Sequence, residues 1–338
     1  MFEIIKKVVK VNTLKLVIYT FIFYIVCAFI IYFLEPENFR NPFIAFWWVL
    51  TTVTTTGFGD YAPVTVPGML FAMFLYLSGI GLIGIIIGKI VDSISFYRRL
   101  KMEGKLSYKG KNHFVIIGWS YKAQKTVEEI LITEHIDTDI VLVDQLKESP
   151  FEHDRFHYIC GNPTSTSTFE QANLSMANSV SIFAPKSEDE TFADGKTLLI
   201  TSAIEKYAAE INKAIYTIVE IVHQDHIDMF KHARVDEFVL SNEAFPHLIA
   251  KTMLHNGSSQ LFMQLLSNKY GDNLWEINPA PEWKTYRDAF EALSKQGANL
   301  IADGSDFSII RRMDDNIPDN ADLYIICDQE TFQQIRLT

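Results

Sequence analysis

The chain has 338 residues, 48% of them hydrophobic, and a formal net charge of −11 at pH 7. Such an acidic total excludes a protein that binds nucleic acid through a basic surface. The charge is uneven, since residues 1–111 hold 12 Lys and Arg against 6 Asp and Glu, whereas residues 112–338 hold 18 against 35. We therefore expect a basic, apolar N-terminal part and an acidic part long enough to bury its own core.

Two uncharged apolar runs, at 16–34 and 69–88, dominate the N-terminal part. Each is long enough to cross a bilayer core of about 30 Å as a helix that rises 1.5 Å per residue. The first run is too long for a cleaved signal peptide. Basic residues are concentrated before the first run and after the second, with only Arg40 between them. The positive-inside rule predicts a cell-membrane protein with two spans and with both termini in the cytoplasm.

Between the two runs, residues 51–60 read Thr-Thr-Val-Thr-Thr-Thr-Gly-Phe-Gly-Asp. An ion filter needs consecutive backbone carbonyls that replace the water shell of the ion. The two glycines permit the left-handed backbone that such a loop requires. A short helix over 42–54, opened by Asn41 and Pro42, is predicted just before it. We predict a filter formed by Thr55, Thr56, Gly57, Phe58 and Gly59.

This segment resembles the potassium-channel signature Thr-Val-Gly-Tyr-Gly-Asp, aligned on residues 55–60. The resemblance implies that K⁺ is the permeant ion. It also implies that Trp47 and Trp48 support the filter, with an indole N–H donated to Asp60. An aromatic belt at the membrane surface is the alternative interpretation of the two tryptophans, and the two interpretations are compatible.

Two positions depart from that signature, because Thr56 replaces valine and Phe58 replaces tyrosine. Every residue supplies a carbonyl, so neither change removes an ion ligand. Phe58 lacks the phenolic hydroxyl that braces the filter from behind, and a local bond from the Thr56 hydroxyl would soften it. A potassium-selective pore and a weakly selective cation pore therefore both stay open.

Glycines recur in the second apolar run, and the resemblance gives them different roles. Gly79 matches the hinge at which the inner helix of two-span channels bends. Gly84 and Gly88 would line the inner mouth, or would only permit close helix packing. Because one loop cannot enclose an ion, the resemblance also implies a pore built from four identical chains.

Residues 112–338 alternate apolar strands with helical segments. Buried strands are predicted at 113–118, 140–144, 157–160, 180–183 and 214–219, with a helix at 123–134 after the first. This pattern indicates a doubly wound parallel sheet, which binds ligands at the carboxyl ends of its strands. Amphipathic helices over 242–267 and a small α+β lobe follow, with strands at 274–277, 298–302, 307–311 and 324–327 and a helix at 286–295.

The acidic part resembles the RCK domain, which regulates potassium conductance. The segments that carry this resemblance are Gly118-Trp-Ser, Gly161-Asn-Pro-Thr164 and Glu188-Asp-Glu-Thr191. A two-span pore joined to one such domain is the layout of the calcium-gated channel type. The implied division is a pore domain at 1–97, a linker at 98–111, a Rossmann-like N-lobe at 112–240, a helical crossover and dimer interface at 241–270 and a C-lobe at 271–338.

The implied function is a ligand-gated potassium channel whose cytoplasmic domains form a gating ring. A membrane-tethered, nucleotide-dependent enzyme is a remote alternative, because no acid–base constellation accompanies the sheet. Met102 lies between the pore and the acidic part. In some relatives translation starts at such a residue, and the free ring subunits complete an eight-domain ring.

The regulatory ligand stays open between Ca²⁺ and an adenine nucleotide or NAD. The dinucleotide fingerprint Gly-x-Gly-x-x-Gly is reduced to Gly118-Trp-Ser120-Tyr-Lys-Ala, and Asp144 follows near the place of a ribose-binding acid. The resemblance implies calcium ligands at Asn162 and Glu220, of which one is a carboxylate. The irregular spacing of the histidines at 223, 226 and 232 favours surface or core residues over metal ligands.

Overall fold

The computed structural model describes residues 13–133, 137–187, 189–267 and 271–337. The basic residues before position 13 that entered the predicted topology lie outside these ranges, as does Glu188. The chain divides into two compact units, Met1–Leu100 and Lys101–Thr338. Each unit has its own hydrophobic core.

The first unit contains three helices, α1 Thr13–Leu34, α2 Pro42–Val53 and α3 Val66–Met102. Both α1 and α3 are long and apolar enough to cross a membrane. The α2 helix begins as predicted, because Asn41 accepts a hydrogen bond from the Phe43 N–H at 2.7 Å and proline occupies the first helical position. The α3 helix has 37 residues and is about 55 Å long, so it continues well beyond the predicted span.

The core of the first unit lies where α1 and α2 pack together. Ile31 and Val49 are fully buried there, and the rings of Phe39 and Trp48 lie 5.3 Å apart. Away from this contact, the large side chains of α1 and α3 are mostly exposed within the single chain. Apolar surface of that extent needs lipid or further protein to cover it.

The second unit is built around a six-stranded parallel sheet in the order β3-β2-β1-β4-β5-β6. Its strands are β1 His113–Ile117, β2 Ile140–Asp144, β3 Phe156–Cys160, β4 Ala177–Ile182, β5 Thr217–Ile221 and β6 Glu237–Leu240. The strand order reverses between β1 and β4, which makes this the switch point of a doubly wound sheet. Apart from His113 and Asp144 at their ends, strands β1 and β2 are apolar because helices cover both faces.

The helices that cover this sheet are α4 Tyr121–Ile132, α5 Thr166–Gln171, α6 Glu190–Glu210 and α7 Ile227–His232. The first three predicted strands agree with the structure to within one residue at each end, and the fourth begins three residues earlier than predicted. The fifth is shifted from 214–219, because the chain turns at Asn212 with a φ of 51° and the strand begins only at Thr217. Strand β6 was not predicted, and its exposed edge position explains its weak apolar pattern.

A helical pair, α8 Ser241–Leu254 and α9 Ser258–Leu266, leads into the C-terminal lobe as predicted. The lobe contains β7 Asn273–Ile277, α10 Tyr286–Lys295, β8 Asn299–Asp303, β9 Leu323–Cys327 and α11 Gln329–Leu337, with an antiparallel sheet in the order β7-β9-β8. The strand predicted at 307–311 is wrong, because a 3₁₀ helix lies there. Asp306 caps that helix by accepting from the Ser308 N–H at 2.7 Å.

The residues of the predicted linker at 98–111 are ordered in both halves of the segment. Its first residues continue α3 as far as Met102. The remainder is hydrogen-bonded to the six-stranded domain, since the Met102 carbonyl accepts from the Ser149 N–H at 2.7 Å and the Gly104 carbonyl accepts from the Cys160 N–H at 2.9 Å. The Tyr108 N–H also donates to the Gln171 carbonyl at 2.8 Å. These bonds agree with the division of the chain, in which the second unit begins at Lys101, within the last turn of α3.

Candidate functional site

The loop after α2 has an alternating backbone. Thr55, Gly57 and Gly59 have positive φ values of 62°, 54° and 76°, whereas the two residues between them do not. Alternation of right- and left-handed residues turns successive N–H groups to one side, so that the carbonyls lie on the other. A left-handed threonine is uncommon, which marks Thr55 as a constrained position.

The N–H groups of this loop are used by the last turn of α2. The Thr55 N–H donates to the Thr52 carbonyl at 3.0 Å, and the Thr56 and Gly57 N–H groups donate to the Thr51 carbonyl at 2.9 and 3.1 Å. These bonds satisfy helix carbonyls that have no partner within the helix. Within the described part of the chain, no donor reaches the carbonyl oxygens of 55–59, which leaves them free to bind cations.

The aromatic residues behind the loop have separate roles. The Trp47 indole N–H donates to Asp60 Oδ2 at 3.1 Å, which is the pairing expected from the resemblance. The Trp47 ring also lies parallel to the Phe58 ring, with centroids 5.8 Å apart. Trp48 instead packs against Phe39 in the core of the unit. Trp47 is therefore the tryptophan that contacts this loop directly, whereas Trp48 belongs to the core, and the predicted support of a filter by either one stays a prediction.

A pair of threonine hydroxyls also lies behind the loop. The Thr54 hydroxyl donates to the Leu50 carbonyl at 2.7 Å, and the Thr56 hydroxyl lies 3.1 Å from it. The local bond expected of the Thr56 hydroxyl is therefore present. It connects the loop to the end of α2.

The glycines of α3 differ in their surroundings. Gly79 is buried, and a Cβ atom there would lie 2.5 Å from Val53 Cγ1 at the end of α2. Around Gly84 and Gly88, no such neighbour lies within 4 Å among the residues that the structure describes. The helix is continuous through Gly79, so the position combines close packing with the predicted hinge. The hinge itself stays a prediction.

Glu35, which the sequence analysis used only to mark the end of the first span, has a clear structural role. Its buried carboxylate accepts from the Val64 N–H at 3.0 Å and from the Thr65 N–H and hydroxyl at 2.8 and 2.7 Å. Burial raises the pKa of Glu35, but these donors lower it more, so the net shift is downward. Glu35 thereby joins the end of α1 to the start of α3 across 29 residues of sequence.

In the second unit, a cavity of about 440 Å³ lies at the carboxyl ends of β1, β4 and β5. It is lined by Ser120, Tyr121, Lys122, Ala184, Pro185, Lys186, Ser187, Glu190, Ala193, Val222 and Asn242. Ser120 caps α4 by accepting from the Ala123 N–H at 3.2 Å. The cavity thus adjoins the switch point of the sheet, where such folds bind ligands.

Gly118 of the reduced fingerprint and Asp144, the predicted ribose ligand, hold the loop that follows β1. Gly118 has a φ of 89°, and a Cβ atom there would lie 3.0 Å from the Phe183 carbonyl. The Asp144 carboxylate accepts from the N–H groups of Trp119 and Gln145, both at 2.6 Å. Neither residue lines the cavity. Asp144 is therefore a loop-bracing residue in this structure, which weakens its assignment as a ribose ligand.

The two implied calcium ligands do not come together within one chain. Asn162 caps its own turn, accepting from the Thr164 N–H at 3.1 Å. Glu220 is 6% exposed, forms an ion pair with Lys122 and accepts from the Ala184 N–H at 3.0 Å. Three strands separate β3 from β5, which places the two residues about 19 Å apart. No group of three metal-ligating side chains occurs in the described ranges.

The histidines after β5 have hydrogen-bond partners within the chain. Asp194 is 2% exposed and accepts from the N–H groups of Val222 and His223 at 2.8 and 3.0 Å. His226 Nδ1 donates to the same carboxylate at 2.7 Å. His232 Nδ1 donates to the Asp228 carbonyl at 2.5 Å. These contacts shape the end of β5 beside the cavity.

Sequence reasoning missed Lys122, which supplies both the partner of Glu220 and a positive charge in the cavity. The only available signal was a lysine within the fingerprint segment. Its partner lies 98 residues further along the chain. Such a pairing follows from the fold and from no local pattern.

Comparison with known proteins agrees with both units. The family model described as "Ion channel" matches residues 19–95, and the model described as "TrkA-N domain" matches residues 114–241. The protein YugO of Bacillus subtilis, which carries the name of a potassium channel, is 29% identical over 67% of this chain and 66% of its own length. The calcium-gated potassium channel TvoK of Thermoplasma volcanium is 26% identical over 80% and 78%.

The chain therefore has the domain arrangement of potassium channels that carry an RCK domain, and the curated relatives it matches bear the names of potassium channels. The ion-channel match and the two long apolar helices make it a membrane protein. The chain spans just under two thirds of the length of YugO. The human SLO3 gating ring has the same fold, with a TM-score of 0.51 at 12% identity over 66% of this chain and 45% of that one.

Proposed function

We propose that this RCK channel is a tetrameric, ligand-gated channel selective for K⁺. The observation that carries the proposal is the row of carbonyls at 55–59 that have no donor within the described residues, held on an alternating backbone. A K⁺ filter replaces the hydration shell with such oxygens. One chain supplies only one wall, so a closed ring of four copies completes the pore.

A weakly selective cation pore is the second candidate. It is favoured by Phe58, which has no hydroxyl and is held behind the filter by its ring contact with Trp47. Selectivity for K⁺ is supported by the tie from Trp47 to Asp60 and by the N–H bonds that fix the loop to α2. The reversal potential under opposed Na⁺ and K⁺ gradients distinguishes the two pores.

We propose an anionic regulatory ligand, an adenine nucleotide or NAD, in the cavity beside α4. Lys122 and Lys186 supply positive charge there, and Ser120 supplies a hydroxyl at a helix N-terminus. Ca²⁺ is disfavoured at this place, because it needs several carboxylates and Glu220 is already paired with Lys122. TvoK, by contrast, is named as a calcium-gated channel.

We propose that both termini are cytoplasmic, that the protein crosses the cell membrane twice, and that ligand binding to an RCK ring bends α3 near Gly79. Ligand control requires that the ligand bind the open and closed ring with different affinities. A product that starts at Met102 would retain almost the whole second unit, which begins at Lys101. Such a product would suit an eight-domain ring. We propose no catalytic activity, since the relatives carry the names of channels.

The test is K⁺ flux from liposomes that contain the purified protein, with Na⁺ outside, screened against Ca²⁺, Mg²⁺, ADP, ATP and NAD(H). We expect flux with one nucleotide and block by Ba²⁺. Gly57→Ala should abolish flux, because alanine is strained at a φ of 54°. Gly81→Ala is the matched control, since outside its own helix turn no atom of the described residues lies within 4 Å of its Cβ position. Equal permeation of Na⁺ and K⁺ would refute selectivity, and flux that only Ca²⁺ elicits would refute the nucleotide.

A further inference from the structure

We propose that Thr56 is a positioning residue whose side-chain hydroxyl, relayed through Thr54, anchors the filter to the last turn of α2. The proposal rests on the proposed function, because it concerns the same ion-binding loop. It reverses the sequence-based expectation that the extra hydroxyl softens the filter. The relay consists of Thr56 Oγ1, Thr54 Oγ1 and the Leu50 carbonyl.

The direction of the relay follows from proton count. A hydroxyl has one proton, and the Thr54 proton is used in the 2.7 Å bond to the Leu50 carbonyl. At the 3.1 Å contact between the two hydroxyls, Thr56 must therefore donate and Thr54 must accept. Both protons then point from the loop toward the helix. The relay ends on a carbonyl of the final helical turn, which also accepts the Thr54 N–H at 3.0 Å.

Thr56 is consequently held at two points. Its N–H donates to the Thr51 carbonyl at 2.9 Å, and its hydroxyl donates to Thr54. Because threonine is stiff at χ1, fixing the hydroxyl also fixes the orientation of its backbone. The planar peptide bond passes this restraint to the carbonyl of Thr56, which is one of the ion ligands.

The relay supplies a restraint that Phe58 cannot supply. The Phe58 ring is held by stacking on Trp47, a contact that resists separation more than sliding. Hydrogen bonds are directional and resist both. With Trp47 bonded to Asp60 at one end of the loop and Thr56 bonded to Thr54 at the other, the loop is fixed to α2 on both sides of the phenylalanine.

The test compares the wild-type channel with Thr56→Val, Thr54→Val and the double variant in planar bilayers. Valine keeps the shape and removes the hydroxyl. The readouts are the K⁺/Na⁺ permeability ratio and the K⁺ concentration that protects the current from decay. We expect each single variant to lower the K⁺/Na⁺ permeability ratio about fivefold and to raise the protecting K⁺ concentration about fivefold. Effects of this size correspond to the loss of one neutral hydrogen bond. The double variant should equal a single one, because either change breaks the same relay.

Two controls separate the relay from a general loss of structure. Thr56→Ser keeps the hydroxyl but not the branched Cβ, and it should change both readouts less than Thr56→Val does. Thr20→Val removes a buried hydroxyl without a hydrogen-bond partner in the first unit and should leave them unchanged. Additive effects of Thr54→Val and Thr56→Val, or a Thr56→Val channel like wild type, would overturn the relay alone. A wild-type protein without ion flux would overturn the proposed function and the relay with it.

Discussion

Acidification should loosen the segment that follows α3, because His157 is hydrogen-bonded to this segment at Leu106 and the His113 ring packs against its Tyr108. His113 is fully buried and donates from Nε2 to the Ala172 carbonyl at 3.0 Å, while His157 Nε2 donates to the Leu106 carbonyl at 2.8 Å. The Tyr108 ring lies 4.5 Å from His113 and 5.5 Å from His157. The Tyr108 hydroxyl donates to Asp139 at 2.7 Å.

Burial lowers the pKa of both histidines, although their carbonyl partners and the charge of Asp139 oppose the shift. Lys101 lowers the pKa of His157 further. Above the unfolded-state pKa of about 6.5, both states are neutral and no stability is lost. Below this pH, the two histidines bind protons when the segment is locally unfolded but stay neutral when it is folded. The free energy of opening should therefore fall by about 1.4 kcal/mol per pH unit for each histidine, or about 2.7 for both, down to their folded-state pKa values.

The assay is hydrogen exchange of peptides from residues 104–112 in the full-length protein between pH 7.5 and 5, with protection corrected for intrinsic exchange. We expect protection to fall steeply below pH 6.5. His113→Gln keeps a donor but cannot titrate, so its slope should be about half that of wild type. His255→Gln, at an exposed position, should keep the full slope. Constant corrected protection across this range, or an unchanged slope in His113→Gln, would refute the reasoning.

Three further substitutions test other contacts. Gly79→Ala should destabilise the pore by about 1–3 kcal/mol, since its Cβ would lie 2.5 Å from Val53; thermal melting in detergent measures this. Glu35→Gln should weaken the contact to the start of α3 by about 1.5–3 kcal/mol, and faster exchange of Val64 and Thr65 amides would reveal it. Lys122→Met should leave Glu220 buried without its cation and destabilise the second unit by about 1–3 kcal/mol, whereas Lys125→Met should not; urea unfolding compares them. If a variant had the same stability or amide exchange as the wild type, the contact assigned to that residue would be contradicted.

The two spans, the pore helix and most central strands were predictable because each leaves a local signal. Asn41 and Pro42 begin α2 as a short motif, and the apolar runs of β1 and β2 reflect burial on both faces. The edge strand β6 left no such signal, because it is exposed. At 307–311 an apolar segment predicted a strand, but the Asp306 cap, a local side-chain bond, favoured a 3₁₀ helix.

The parts of the candidate sites that depend on distant pairs were not predictable. The spacing of Asn162 and Glu220 gave no hint that three strands lie between them. Glu35 is an ordinary flanking acid in the sequence, and only the return of the chain at Val64 gives its carboxylate donors. The resemblance did supply the pairing of Trp47 with Asp60, because there the motif encodes a tertiary contact.

The carbonyl oxygens at 55–59, which we propose as ion ligands, are main-chain atoms that no substitution of a side chain can delete. Substitutions behind this loop can therefore act on the ligands only through the restraints on the backbone. Such restraints are the contact between the hydroxyls of Thr54 and Thr56 and the contact between the rings of Trp47 and Phe58. Differences in permeation between chains of this kind should accordingly be mechanical in origin. A channel could exchange every side chain behind its filter and still present the same ligands to the ion.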